Sequence, residues 1–161
     1  MNFDHSYFGP VMTIKNTLIE ADAYTNLVAL ITDVKARAGK RKIFAIGLTS
    51  PRFVNAAEGI NASFPADNPF HNIKNLLEKA FGIQTFLEND SAAIAIAEKR
   101  FGRQRASKDM LVINLNWGIG LGMIIDGKLF RGHSGFAGEF SHIPLSDKGT
   151  LCSCGKRGCL E

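Results

Sequence analysis

Residues 110–130 read MLVINLNWGIGLGMIIDGKLF, and their spacing decides the fold class. Met110–Leu115 is apolar and β-branched enough for a central strand. The glycine run Gly118-Ile-Gly-Leu-Gly122 leads into a second strand, Met123–Ile125, and Asp126-Gly127 makes a two-residue hairpin turn into a third, Lys128–Phe130. Upstream, strands alternate with helices. A helix over 91–101 is capped by Asp90 and stopped by Gly102, with a strand over 83–87 before it. Asn72–Phe81 is a shorter helix closed by Gly82. Residues 51–70 hold three prolines among Asn, Gly and Ser and are expected to form an irregular connection. Lys42–Leu48 reads as a buried strand leading into Thr49-Ser50-Pro51. Apolar positions Leu27, Val28, Leu30, Ile31 and Val34 give a helix from Asp22 to Gly39, and Val11–Lys15 a first strand. The pattern predicts an α/β fold with a mixed sheet flanked by helices in three layers.

A chain of 161 residues fits one domain, residues 1–161, with a substantial core. No basic-plus-apolar leader stands at the N-terminus, so a cytoplasmic address is the expectation. Asn114 and Asn116 interrupt the longest apolar stretch, Met110–Ile125, so no membrane segment is expected. The net charge of +4 could suggest nucleic acid. The basic residues, however, fall at Lys35–Lys42 and Lys99–Lys108, where they complement the ends of the two long helices. No recognition helix accompanies them, so this chain is not expected to bind DNA directly.

All three cysteines lie near the C-terminus, at Cys152, Cys154 and Cys159, with His142 ten residues before the first. Three thiols and an imidazole form the soft ligand set of a tetrahedral structural zinc. A disulfide framework would leave one thiol over. Lys156 and Arg157, between the cysteines, argue against three core thiols. A Cys3His zinc knuckle over 142–161 is the reading.

Three further motifs could carry chemistry. Glu88-Asn89-Asp90 closes a strand and opens a helix, where open α/β sheets hold ligands. An amide beside a carboxylate can bind adjacent sugar hydroxyls, and the carboxylate could remove a hydroxyl proton. The plainer alternative is that Asp90 only caps its helix and Asn89 only shapes the turn. Gly118–Gly122 joins two strands, so it is no Rossmann fingerprint, which must open a helix. It allows either close approach of a ligand or tight packing. Glu139 and His142 stand three apart, on one side of a turn or helix. If one ring nitrogen of His142 held zinc, the other would keep its proton for a ligand.

Taken in order, these segments resemble the ROK family of sugar kinases and sugar-responsive repressors. The pieces are Glu88–Asp90, Gly118–Gly122, the hairpin Ile125–Leu129, Gly132, Ala137-Gly-Glu-Phe-Ser-His142 and Cys152-x-Cys-Gly-x-x-Gly-Cys-x-Glu161. The resemblance implies a ribonuclease-H-like, actin-type ATPase-fold domain, incomplete relative to the family. It implies a sugar site lined by Asn89, Asp90, Glu139, His142 and Glu161, and zinc held by His142, Cys152, Cys154 and Cys159. In the kinases, the aspartate matched by Asp90 is the catalytic base that activates the sugar hydroxyl for phosphoryl transfer from ATP with Mg2+. It also implies self-association, and DNA contact only through a part that this chain does not contain.

The chain departs from the kinase pattern. It has no Asp-x-Gly-x-Thr phosphate loop, and Asn116-Trp117-Gly118 stands where the kinases usually read Gly-Thr-Gly. Phosphoryl transfer depends on positioning and charge stabilisation, so these changes point away from an enzyme. Ser141 replaces a usual glycine, and Ser50-Pro51-Arg52 sits where Pro-Gly is frequent. The expectation is a sugar-sensing domain of a transcriptional regulator, with an ATP-dependent sugar kinase as the alternative.

Overall fold

The computed structural model describes residues 9–14, 18, 20–115 and 118–160. The chain forms two compact units, Met1–Lys40 and Arg41–Glu161. Among its described residues the first unit holds one helix, α1 (Ala23–Ala38), which ends at Gly39 with Lys35 and Arg37 in its last turn. Val11–Ile14 forms no strand, and Lys15 lies outside the described residues. A short alternating run becomes a strand only where a partner edge takes its hydrogen bonds, and no described strand pairs with this one.

The second unit runs β1 (Ala45–Ser50), β2 (Val54–Asn55), β3 (Ile60–Asn61), α2 (Ile73–Phe81), β4 (Gln84–Asn89), α3 (Asp90–Phe101), β5 (Met110–Leu115), β6 (Ile119–Ile125) and β7 (Lys128–Leu129), then a 3-10 turn, Phe140–His142. The expected single mixed sheet is resolved into three ladders among the described residues. β1 and β4 pair in parallel from Ala45–Gln84 to Ser50–Asn89, joined by a crossover that contains α2. β2 and β3 make a small antiparallel hairpin inside the stretch expected to be irregular. β5, β6 and β7 form an antiparallel sheet. Side-chain periodicity tells which face of a strand is buried, but not which edges meet.

The core of this unit sits where α2 covers β4. Ile73 and Leu77, one helical turn apart, are almost wholly buried, as are Thr85 and Leu87 on the inner face of β4. Each such apolar side chain contributes about 2 kcal/mol relative to exposure. The Thr85 amide, which faces away from the ladder, donates to Glu78 Oε1 at 2.9 Å and fixes the helix on the strand.

The third helix packs on β5 and β6. Its contact side is small, with Ser91 and Ala95 buried. Gly120 and Gly122 of β6 meet it without side chains: a Cβ on Gly120 would come within 2.9 Å of Ser91 Cβ, and one on Gly122 within 2.6 Å of the Ser91 carbonyl oxygen. The glycine run is therefore mostly strand, and at these two positions tight packing is the outcome. Asp126 and Gly127 both have positive φ, as an Asp-Gly hairpin turn requires. On the other face of β5, Leu111, Ile113 and Leu115 are exposed. No helix among the described residues is long and apolar enough to cross a membrane.

Candidate functional site

The end of β4 sets the first wall of the site. Asn89, not Asp90, caps α3: it is extended, and its Oδ1 accepts the Ala92 amide at 3.0 Å. Asp90 is thereby the first helical residue, where its charge complements the helix dipole. Its Oδ1 accepts the Ser91 amide at 2.7 Å and the Ser91 hydroxyl at 3.3 Å, while Oδ2 takes no hydrogen bond from the described residues. Asn89 Nδ2 donates to the Arg52 carbonyl at 2.9 Å. The amide of Asn89 is thus half used by the scaffold, leaving one N–H and one lone pair for a ligand.

The second wall comes from the segment after β7. Gly138 has φ of 104°, and a side chain there would strike the Leu121 carbonyl oxygen. This turn brings Glu139 and His142 to face Asn89 and Asp90. Together with Arg52, Ser91, Asn114 and Gly118–Leu121 they line a cleft of about 420 Å³. Four of the five residues expected at a ligand site therefore share one cleft. Glu161 lies outside the described residues, as do Asn116 and Trp117.

His142 links this cleft to the cysteines. Its Nδ1 lies 3.4 Å from Cys152 Sγ, while Nε2 lies 4.0 Å from Glu139 Oε2. Cys154 Sγ and Cys159 Sγ are 3.6 Å apart. The four ligand atoms all lie within 4.8 Å of one another, so this cluster can hold a metal ion. Burial pushes the Cys159 thiol up to about 11, and the neighbouring thiols reinforce the shift. A hydrogen bond from the Lys156 backbone lowers Cys154. Crowded thiols with opposed proton affinities are a natural consequence of three sulfurs converging on one point.

Sequence spacing did not reveal several structural neighbours. Phe53 lies 5.4 Å from the His142 ring at 31° and edge-on to Phe136, backing the imidazole. Ser91 and Asn114 line the cleft without belonging to any motif. Arg131, just after β7, makes a bidentate pair with Glu88 at 2.8 and 2.5 Å. Glu88 Oε1 also accepts the Asn89 amide at 3.0 Å. The pair ties the end of β4 to the segment that carries Glu139 and His142, and the hydrogen bonds to Glu88 raise the Arg131 pKa. The Glu88 side chain is 17% exposed and that of Arg131 41%, so solvent screens part of the attraction. Arg131→Ala should lower stability by about 1–2 kcal/mol, read as a lower urea midpoint. An unchanged midpoint would show that the two walls are held by other contacts.

A model of the ROK family matches residues 6–161. The chain belongs to the ROK family. Among ROK relatives, the xylose repressor of Caldicellulosiruptor bescii is 33% identical over 129 residues, covering 79% of this chain and 32% of the repressor. The glucokinase of Thermotoga maritima is 36% identical over 118 residues, covering 72% and 37% respectively. The solved ROK glucokinase from Streptomyces griseus, in complex with glucose and AMPPNP, superposes with a TM-score of 0.71 at 32% identity, over 85% of this chain and 44% of that one. The α/β, actin-type architecture is shared with such solved ROK structures. This ROK chain spans about a third of the length of the curated relatives it matches, and those relatives include both a repressor and a kinase.

Proposed function

We propose that this chain is the sugar-sensing part of a ROK transcriptional regulator, with a carbohydrate held in the cleft between Asn89–Asp90 and Glu139–His142. The observation that carries this reading is the convergence of these four side chains on one cleft of about 420 Å³, room enough for a monosaccharide. Asp90 Oδ2 and Glu139 would accept sugar hydroxyls, and the remaining Asn89 N–H would donate. His142 Nε2 and Glu139 Oε2, 4.0 Å apart, can share one hydroxyl between a donor and an acceptor. Glu161 would complete the site, as the resemblance implies.

Structural zinc at His142, Cys152, Cys154 and Cys159 is part of this proposal. Bond lengths of ~2.0–2.3 Å in a tetrahedron give ligand–ligand edges of roughly 3.5–3.8 Å. Two edges of the cluster, 3.4 Å between His142 Nδ1 and Cys152 Sγ and 3.6 Å between Cys154 Sγ and Cys159 Sγ, come within about 0.2 Å of those values. The ion would supply charge neutralisation for the thiolates. His142, bonded through Nδ1, would then be fixed with its Nε2 proton toward the cleft.

The regulator reading is favoured over a kinase by sequence: Trp117 replaces the small hydroxyl residue of the second phosphate loop. Self-association, and DNA contact only through a part outside this chain, go with this reading, and a cytoplasmic address suits reduced thiols. The kinase reading has its own support in Asp90 Oδ2, which takes no hydrogen bond from the described residues and would take a hydroxyl proton while the oxygen attacks the γ-phosphorus of Mg-ATP and ADP leaves.

Calorimetry of the zinc-loaded protein with hexoses, pentoses and N-acetylhexosamines, with and without ATP, tests both readings. Binding of a sugar without turnover supports the sensor; an ATP-dependent phosphorylated sugar overturns it in favour of the kinase. In either case Asp90→Ala should weaken the sugar about 30-fold, the loss of roughly 2 kcal/mol of charge-assisted hydrogen bonding. The helix should remain, because Asn89 caps it. Unchanged affinity would move the sugar out of this cleft.

A further inference from the structure

Among the described residues of the cleft wall, Arg52 is the one whose backbone is strained. Among the described residues only Arg52 and Asp126 have positive φ without being glycine, at 72° and 50°. Asp126 is accounted for by its hairpin turn. Arginine has no such reason, and the left-handed conformation costs about 1 kcal/mol that glycine would avoid. Strain of this kind persists where surrounding structure imposes it, and it gathers at ligand sites.

The surroundings do impose it. The Arg52 carbonyl accepts both Asn89 Nδ2 and the Val54 amide at 2.9 Å. Next to it, the Pro51 carbonyl accepts Asn61 Nδ2 at 3.0 Å, and that same nitrogen donates to Ser50 Oγ at 2.9 Å. Asn61 is fully buried, so this turn is anchored in the core. A pinned turn fixes where the Arg52 side chain leaves the backbone, at the rim of the cleft.

The charge pattern gives that side chain a use. Asp90 and Glu139 are carboxylates on the cleft wall, and Arg52 is the one arginine or lysine among the described residues that line it. Among the described residues neither carboxylate forms an ion pair with Arg52 within 4.0 Å, while Glu139 lies 4.0 Å from His142. Asp90, Glu139, Asn89 and His142 already supply donors and acceptors for neutral hydroxyls. A guanidinium adds what those groups lack: a planar fork that matches the two oxygens of a carboxylate or phosphate.

We infer that the cleft takes a carbohydrate carrying an anionic substituent, and that Arg52 at its rim reads that group. The inference rests on the proposed carbohydrate site and narrows its ligand class. Without Arg52, two carboxylates would repel such a ligand; with it, the anion has one edge of the cleft at which to bind. Arg52 thus acts as a specificity-determining residue.

The test is a set of titrations of zinc-loaded protein with D-glucose, D-glucuronate and D-glucose 6-phosphate, and with N-acetyl-D-glucosamine and its 6-phosphate. Wild-type protein should bind at least one anionic form about tenfold more tightly than its neutral parent, with the advantage shrinking as salt rises. Preference for glucuronate would assign a carboxylate, and preference for the phosphates a phosphoryl group. In Arg52→Gly, which relieves the backbone strain and should fold at least as well, the ratio of anionic to neutral affinity should fall to near one. Arg52→Lys should retain part of it. A neutral parent that binds as tightly as its anionic forms, or a ratio unmoved in Arg52→Gly, overturns the inference while leaving the sugar site intact. Binding of none of these compounds overturns this inference, and the panel of hexoses, pentoses and N-acetylhexosamines then decides separately whether the cleft takes a sugar.

Discussion

With the proposed zinc in place, a chelator should cost the segment 143–160 its fixed structure, and the sugar affinity proposed for the cleft should fall with it. The reason lies in what the segment lacks. None of its residues is buried, and Ile143, Leu145 and Leu151 are more than half exposed, so no apolar core of its own holds it. Its regular backbone pairing consists of two isolated bridges, Pro144–Cys159 and Leu151–Arg157. A structural zinc contributes on the order of 10 kcal/mol of apparent binding energy, more than those bridges can. Its loss releases His142 Nδ1, and with it the orientation of the imidazole that faces Glu139. Cys159→Ser should act like the chelator, since a neutral hydroxyl is a poor substitute for a thiolate ligand. Hydrogen exchange read segment by segment is the measurement: amides of 143–160 should lose protection, and those of β4 and α3 should keep it. Protection that survives chelation would mean the polypeptide alone holds the segment and that no structural metal is present.

A second large effect is expected at Gly122. Gly122→Val should cost about 3 kcal/mol or more, because the added carbons run into Ala95 Cβ and the Ser91 carbonyl oxygen, and neither the helix backbone nor a methyl group can turn aside. Relief requires β6 to move off α3, taking the cleft residues Gly120 and Leu121 with it. Gly47→Ala is the matched control: it lies in a strand, its φ is not positive, and a Cβ there meets nothing within 4 Å. That change should stay within about 0.5 kcal/mol. Urea midpoints of the two variants measured side by side decide the matter. Equal midpoints would show that the seam between α3 and β6 is looser than described.

Much of this fold was legible in local chemistry. Helix stops at Gly39, Gly82 and Gly102 and the Asp126-Gly127 turn are local signals, and the helices and hairpin lie where those signals put them. What failed was non-local or finely local. Strand edges meet across a crossover, so a mixed sheet was expected where three ladders formed. The prolines at 51–70 hid the short β2–β3 hairpin. Asp90 and Asn89 are both good caps, and only backbone geometry shows that Asn89 takes the role. In the site, the His142–cysteine cluster was readable because ligand chemistry restricts which residue types can converge. The Glu88–Arg131 pair was not, since its members stand 43 residues apart in sequence with no spacing rule to join them.

The side-chain-free seam also bears on how a bound ligand would make itself felt. Asp90 begins α3, and the next residue, Ser91, is already pressed against Gly120 and Gly122. Close-packed contacts of this kind are barely compressible. A ligand that tugs on Asp90 therefore shifts helix and sheet together as one lever, without slack at the joint, and any hinge that converts sugar binding into a signal has to lie elsewhere along the chain.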